Sequence, residues 1–221
     1  MLVDLLDQSI IAMKEIYELE KSSNDVQKQE KNDKIFSNVV SENHLMVNAV
    51  TNSMSQLGFV ISQETRGRVI GLLKSSSDAV SRGLIQESTA NYLQKEVFTI
   101  KKAILQEWSD YYHKVADQKI NMLQTIKGIA PEREKVDYAS NKIKYGASWE
   151  FKQDNLDKMT KGLQEADEII NSLGFGEDGA EILGFLKKVA SGKASVHDLT
   201  PDILNWLMEN NMTSKLAVSF K

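Results

Sequence analysis

Asp110, His113 and Asp117 stand at i, i+3 and i+7, so on a helix two carboxylates and an imidazole share one face. Those are ligand types that a divalent cation accepts. Glu107, Lys114 and Lys119 are interleaved with them, however, and mixed charge along a helix marks a solvated face with i,i+4 pairs. Metal sites in helical bundles draw on several helices, and no Glu-x-x-His pair occurs. The expectation is an exposed surface, with no metal and no cofactor.

Gly174, Gly176 and Gly179 spell G-x-G-x-x-G, the loop through which a backbone approaches a pyrophosphate. The motif follows a helical pattern instead of a strand, and Glu177 and Asp178 put negative charge where phosphate would sit. Helix-ending glycines are the better account. Lys74 and Ser75 resemble the end of a phosphate loop, but Gly71 lies three residues before Lys74 where that loop needs one. Gly67 and Gly71, four apart, are expected instead to admit a close helix neighbour.

With no cysteine, a thiolate nucleophile, a thiolate zinc site and disulfides are all excluded. No Gly-x-Ser-x-Gly elbow occurs, and three histidines leave little material for a Ser-His-Asp system. A non-enzyme is expected. Charge is uneven: residues 91–162 sum to +3 and residues 163–221 to −4. Lys135, Lys142, Lys144 and Lys152 stand near Tyr138, Tyr145 and Trp149, a mixture that can meet a nucleic-acid backbone. Those aromatics also lie in an apolar stripe, and acidic residues interleave the lysines, so nucleic-acid contact is the alternative reading and not the first one.

The elements that position these residues read as helices. The chain has 221 residues but two prolines and twelve glycines, too few turn signals for an all-β fold. No apolar run exceeds four residues, which excludes a membrane-spanning helix. The N-terminus lacks a basic leader, so no export is expected and the chain is placed in the cytoplasm.

Val3, Leu6, Ile10, Met13 and Tyr17 step by three and four and predict a helix over about 2–31, interrupted near Ser22 to Asp25. Phe36, Val40, Asn43, Val47, Val50, Met54 and Leu57 predict a second over 33–57, closed by Gly58. Short helices follow over 63–86, after Ser62. From residue 88 the stripe Val97, Lys101, Ile104, Trp108, Tyr111, Val115, Gln118, Met122 and Thr125 predicts a long helix, broken by Gly128 and Pro131.

Ile143, Tyr145, Ala147, Trp149 and Phe151 alternate as a half-buried strand does. The longer rhythm Tyr138, Lys142, Tyr145, Trp149, Lys152, Leu156, Met159, Leu163, Ala166, Ile170, Leu173 favours one helix to residue 173, with Gly146 as a local weakness. Polar residues at seam positions, Asn43, Lys101, Gln118, Lys142 and Lys152, suggest a bundle left open for another helix. Beyond Gly179 a compact helix runs to about Ala190. Ser195 with Asp198 forms a capping-box spacing, and Thr200 with Pro201 is a strong helix start. Leu216, Val218 and Phe220 alternate like an extended tail, expected to lie back on the Trp206 helix.

The sequence thus predicts an all-α protein: an elongated helical bundle with an N-terminal region over 1–87, a long antiparallel coiled-coil hairpin over 88–173, and a small C-terminal helical module over 174–221 ending in a short extended segment. Its expected work is to bind other protein subunits as an accessory or scaffold part of a hetero-oligomer, a homodimer being the variant. The candidate partner-binding residues are Phe36, Val40, Val47, Val50, Met54, Trp108, Tyr111, Tyr145, Trp149, Trp206, Leu216, Val218 and Phe220.

Overall fold

The computed structural model describes residues 2–128, 132–173, 179–210 and 212–213, with side chains from Met13 onward. The described residues are all-helical, without a strand: α1 (Leu2–Leu57), α2 (Gln63–Ser81), α3 (Glu87–Ile126), α4 (Arg133–Lys144), α5 (Gln153–Ser172), α6 (Gly179–Ala190) and α7 (Pro201–Glu209). Short 3₁₀ turns cover Tyr145–Ser148 and Val196–Asp198. No helix among the described residues is long and apolar enough to cross a membrane.

The chain divides into two compact units, residues 1–51 with 60–107, and residues 52–59 with 108–221. This partition differs from the expected divisions after 87 and 173, because α1 and α3 each contribute to both units. α1 is continuous through Ser22 to Asp25, where an interruption was expected, and α2 is one helix ending at Ser81.

In the first unit α1, α2 and the first part of α3 pack together. Ser62 caps α2, its hydroxyl accepting from the Thr65 N–H at 3.2 Å. At the other end of α2, the buried Asn32 amide donates to the Ile85 carbonyl at 3.2 Å. α2 therefore runs back along α1, and α3 returns beside it, joined to α1 by Lys101 and Glu42 at 2.7 Å. The buried residues of this unit include Val39, Asn43, Met46 and Ala49 of α1, Leu72 and Ala79 of α2, and Leu93, Val97 and Ile100 of α3.

Glu107 of α3 ties the start of α2 to this frame. Its carboxylate accepts from the Ser62 N–H and hydroxyl, both at 2.7 Å, and from the Thr65 hydroxyl at 2.6 Å. Burial pushes the Glu107 carboxyl up, but the hydrogen bonds from Thr65 and Ser62 outweigh it and leave the group below its ordinary 4.5. A depressed folded value means stabilisation that is complete above about pH 4.5 and is lost as pH falls through the folded value. Glu107→Gln is expected to cost about 1–2 kcal/mol at pH 7. It also flattens the acid limb of a plot of urea midpoint against pH, which is the measurement that checks it.

In the second unit α3 and α4 are antiparallel, with Lys127 paired to Asp137 at 2.7 Å near the connection and the Trp108 indole N–H donating to the Gly146 carbonyl at 2.8 Å at the far end. The expected single helix from 131 to 173 is not formed. The chain turns between Tyr145 and Lys152, and α5 comes back against α4. Glu150 (φ 41°) and Phe151 (φ 65°) take left-handed backbone conformations in this turn, and the alternation that suggested a strand belongs to it. Phe59, Trp108, Tyr111, Trp149 and Phe151 form one aromatic cluster, with Trp108 and Trp149 centroids 4.3 Å apart.

The last elements match their local signals. The Ser195 and Asp198 capping box is present, and the Thr200 hydroxyl accepts from the Ile203 N–H at 3.4 Å with Pro201 in the first turn. The Lys188 ammonium, then the Ser195 N–H and hydroxyl, hold the Asp198 carboxyl at about 2. The Trp206 indole N–H donates to the Leu173 carbonyl at 2.8 Å, joining α7 to the end of α5.

Candidate functional site

The first unit carries its unusual feature on the outside. α1 continues past the Asn32–Ile85 contact, and every side chain from Met13 to Lys28 is exposed. A helix with no buried face ordinarily is polar all round. This one presents Met13, Ile16, Tyr17, Leu19 and Val26, with Leu19 70% exposed. α2 has a similar surplus: Thr65, Leu72, Ser76 and Ala79 face inward, while Ile70, Leu73 and Val80, with Leu84 just beyond, face solvent. On this helix Leu72 is the large apolar residue inside, while Ile70, Leu73 and Val80 are outside.

The sequence-predicted partner residues divide into three groups. Val40, Val47 and Met54 are exposed, and Phe36 and Val50 are half-buried. The predicted α1 stripe is thus one position away from the buried one, which uses Val39, Met46, Ala49 and Ser53 and shares Asn43. Trp108, Trp149 and Trp206 are core residues, 2%, 1% and 4% exposed, and are not available to a partner. Tyr111 is half-buried and its hydroxyl donates to the Leu57 carbonyl; Tyr145 is exposed beneath the Lys158 ammonium. Leu216, Val218 and Phe220 lie outside the described residues.

The other candidates fare as follows. His113 Nδ1 lies 3.2 Å from Asp117 on an exposed face, and among the described residues no group of three His, Asp or Glu is placed to hold a metal ion. Burial pushes the Tyr111 and Tyr112 phenols up, with the Asp117 charge adding to the effect on Tyr112, so both stay protonated at neutral pH. Gly174 to Asp178 are outside the described residues, and Gly179 begins α6. Gly67 and Gly71 have no atom within 4 Å of an added Cβ, so the expected close helix neighbour is not found among the described residues.

Of the four lysines, Lys135 pairs with Glu132 at 2.6 Å and Lys152 with Glu150 at 2.9 Å. Lys142 is buried, paired with Glu165 at 2.6 Å, and lies over the Tyr138 ring. Lys144 is exposed. Three of the four thus already meet acidic groups or the protein interior.

A cleft of about 670 Å³ opens in the first unit where α1 passes the α2–α3 turn, lined by Gln29, Asn32, Asp78, Arg82, Ile85 and Tyr92 among others. It brings amide and hydroxyl side chains together with Asp78 and Arg82. Its chemistry suits holding polar side chains.

What the sequence reading missed is the outward set Ile16, Leu19 and Val26 with Ile70, Leu73 and Val80. The signal was present as a second apolar stripe at three–four spacing on a helix that already had one. No family model, no curated relative and no solved structure matches the chain.

Proposed function

We propose that this chain is a non-catalytic helical accessory or scaffold subunit that binds partner proteins through coiled-coil surfaces within a larger, cytoplasmic complex. The observation that carries this reading is the apolar side chains left outside at coiled-coil spacing, Ile16, Leu19 and Val26 on α1 and Ile70, Leu73 and Val80 on α2. Helices in water gain most of their stability from burying an apolar face. The solvent-surrounded part of α1 lacks that burial, and a partner supplies it.

In this reading α3 and α4 serve as a coiled-coil hairpin with a shortened second arm, supported by the Lys127–Asp137 and Trp108–Gly146 contacts at its two ends. The pairing of Lys135, Lys142 and Lys152 with acidic neighbours weighs against phosphate contact as the main activity.

The test is a tagged pull-down from the native cell, with and without nuclease, at moderate salt. A stoichiometric protein partner that survives nuclease is the expected result. Recovery of nucleic acid that salt removes would overturn the reading in favour of the hairpin lysines, and so would a chain that stays a lone monomer and captures nothing.

A further inference from the structure

The two outward stripes are alike in residue type as well as spacing. Ile16, Leu19, Ser23 and Val26 of α1, and Ile70, Leu73, Ser77 and Val80 of α2, are the same four residue types at steps of three, four and three. All eight are exposed. We propose that they pair between two copies of this chain, the free N-terminal part of each α1 lying along the outer face of α2 in the other copy. This rests on the accessory-subunit reading and names one partner for its surface.

Topology permits the exchange and forbids it within one chain. α2 ends level with Asn32, where the Asn32 amide meets the Ile85 carbonyl. The exposed part of α1 leads away from that point, and from residue 28 to residue 13 it covers roughly 22 Å. Leu19 therefore lies beyond the reach of α2 in its own chain. α1 and α2 are antiparallel in each copy, so a two-fold axis that turns the second copy end for end sets its α1 parallel to the first copy's α2. Parallel pairing is the arrangement in which matching seam positions meet in layers. Ile16 then faces Ile70, Leu19 faces Leu73, Ser23 faces Ser77 and Val26 faces Val80. In this register residues 13–27 of α1 lie along residues 67–81 of α2.

Charge selects this pairing over its rivals. The exposed residues 13–28 carry Glu15, Glu18, Glu20 and Asp25 against Lys14, Lys21 and Lys28, an acidic surplus of one. α2 and its cap carry Arg66, Arg68, Lys74 and Arg82 against Glu64 and Asp78, a basic one. In the register given, Glu15 of one copy flanks the seam beside Lys74 of the other. Pairing two α1 segments with each other sets Glu15 beside Glu20 when parallel, and Glu20 beside Glu20 when antiparallel, and like charges there oppose association.

The absence of cysteine makes the test clean. Leu19→Cys and Leu73→Cys are prepared as separate full-length variants, both at exposed positions outside the core. Facing seam positions bring Cβ atoms within disulfide reach. Mixing the two variants under mild oxidation is expected to give a covalent dimer several-fold faster than either variant alone, and the unmodified chain is expected to sediment as a dimer that Leu19→Asp dissociates. Equal cross-linking by Leu19→Cys alone would overturn the proposal by pairing α1 with α1. A concentration-independent monomer across the micromolar range would overturn it as well. If that monomer still retains a stoichiometric cellular partner, the accessory-subunit reading stands and only the self-pairing is lost. If the cross-linked dimer captures nothing from the cell, the self-pairing stands and the wider reading falls.

Discussion

Gly162→Ala is expected to lower the stability of the second unit by about 2 kcal/mol, seen as a fall in urea midpoint with the slope unchanged. Gly162 sits in α5 where α4 crosses closest. A Cβ there would lie 2.7 Å from the Ile143 nitrogen, 2.7 Å from the Lys142 Cβ and 2.9 Å from the Ala139 carbonyl oxygen. Two of those atoms are backbone of α4 and cannot turn aside, so the helices must separate or the packing must strain. Overpacking of this kind costs about 3 kcal/mol, and the better helix propensity of alanine returns up to about 1. Gly162→Val adds two more carbons and forgoes most of that return, so its cost is about 3 kcal/mol or more. Gly71→Ala is the control. It sits inside α2 with nothing within 4 Å of the added carbon, so only the propensity gain of up to about 1 kcal/mol remains. Equal effects at the two glycines would mean that α4 and α5 are not in contact at Gly162.

The close approach of α4 and α5 was not legible in the sequence, and the reason is physical. Breaks between helices are read from glycine and proline, and the turn from Tyr145 to Lys152 has neither at its left-handed positions. Glu150 and Phe151 occupy them instead, at a cost of about 1–2 kcal/mol each. Phe151 offsets that cost by burying its ring 5.0 Å from the Trp149 ring, since a buried aromatic contributes about 1.5–3 kcal/mol. Burial of the Phe151 ring thus offsets a strained local conformation, and periodicity alone continued the helix through it. Downstream the same rhythm was right: Leu156, Met159, Leu163, Ala166, Ile170 and Leu173 are all buried. The signals that local chemistry determines were also legible. Ser62 and Thr200 cap their helices with their own hydroxyls, and Gly58 ends α1 at φ 75° because no side chain crowds that conformation.

The apolar stripe read from the spacing of α1 differs in position from the one the structure buries. Three–four spacing says which side chains share a face, and α1 offers two adjacent faces that satisfy it. Val39, Met46, Ala49 and Ser53 are the buried ones, and Val40, Val47 and Met54 are outside. Trp108 and Trp149 were candidates for a partner surface as members of three–four apolar stripes, and aromatic residues dominate interfaces. They dominate cores for the same reason, their large apolar area, and sequence does not distinguish the two. Ile16, Leu19, Ile70 and Leu73 carry no such chemical mark, and only the arrangement of α1, α2 and α3 shows them exposed among the described residues.

Trp108→Ala is expected to cost about 4 kcal/mol, enough to unfold most of the second unit near 40 °C when followed by circular dichroism. The ring is 2% exposed and meets Phe59 edge-on at 5.2 Å, Tyr111 at 5.8 Å and Trp149 at 4.3 Å. Removing it opens a cavity at the centre of the aromatic cluster and leaves the Gly146 carbonyl without its indole donor. A pair of gentler substitutions separates these two losses. Trp108→Phe keeps much of the ring area but strands that buried carbonyl, which costs about 1–3 kcal/mol. Trp149 is as deeply buried, yet its indole N–H finds no acceptor among the described residues. Trp149→Phe therefore removes a group that is already desolvated and unpaired, and that relief offsets part of the lost area. The expected order is Trp108→Ala, then Trp108→Phe, then Trp149→Phe, measured by urea unfolding. Should Trp149→Phe cost as much as Trp108→Phe, the Trp149 N–H must have a partner in solution, an ordered water being the one that fits a buried polar atom.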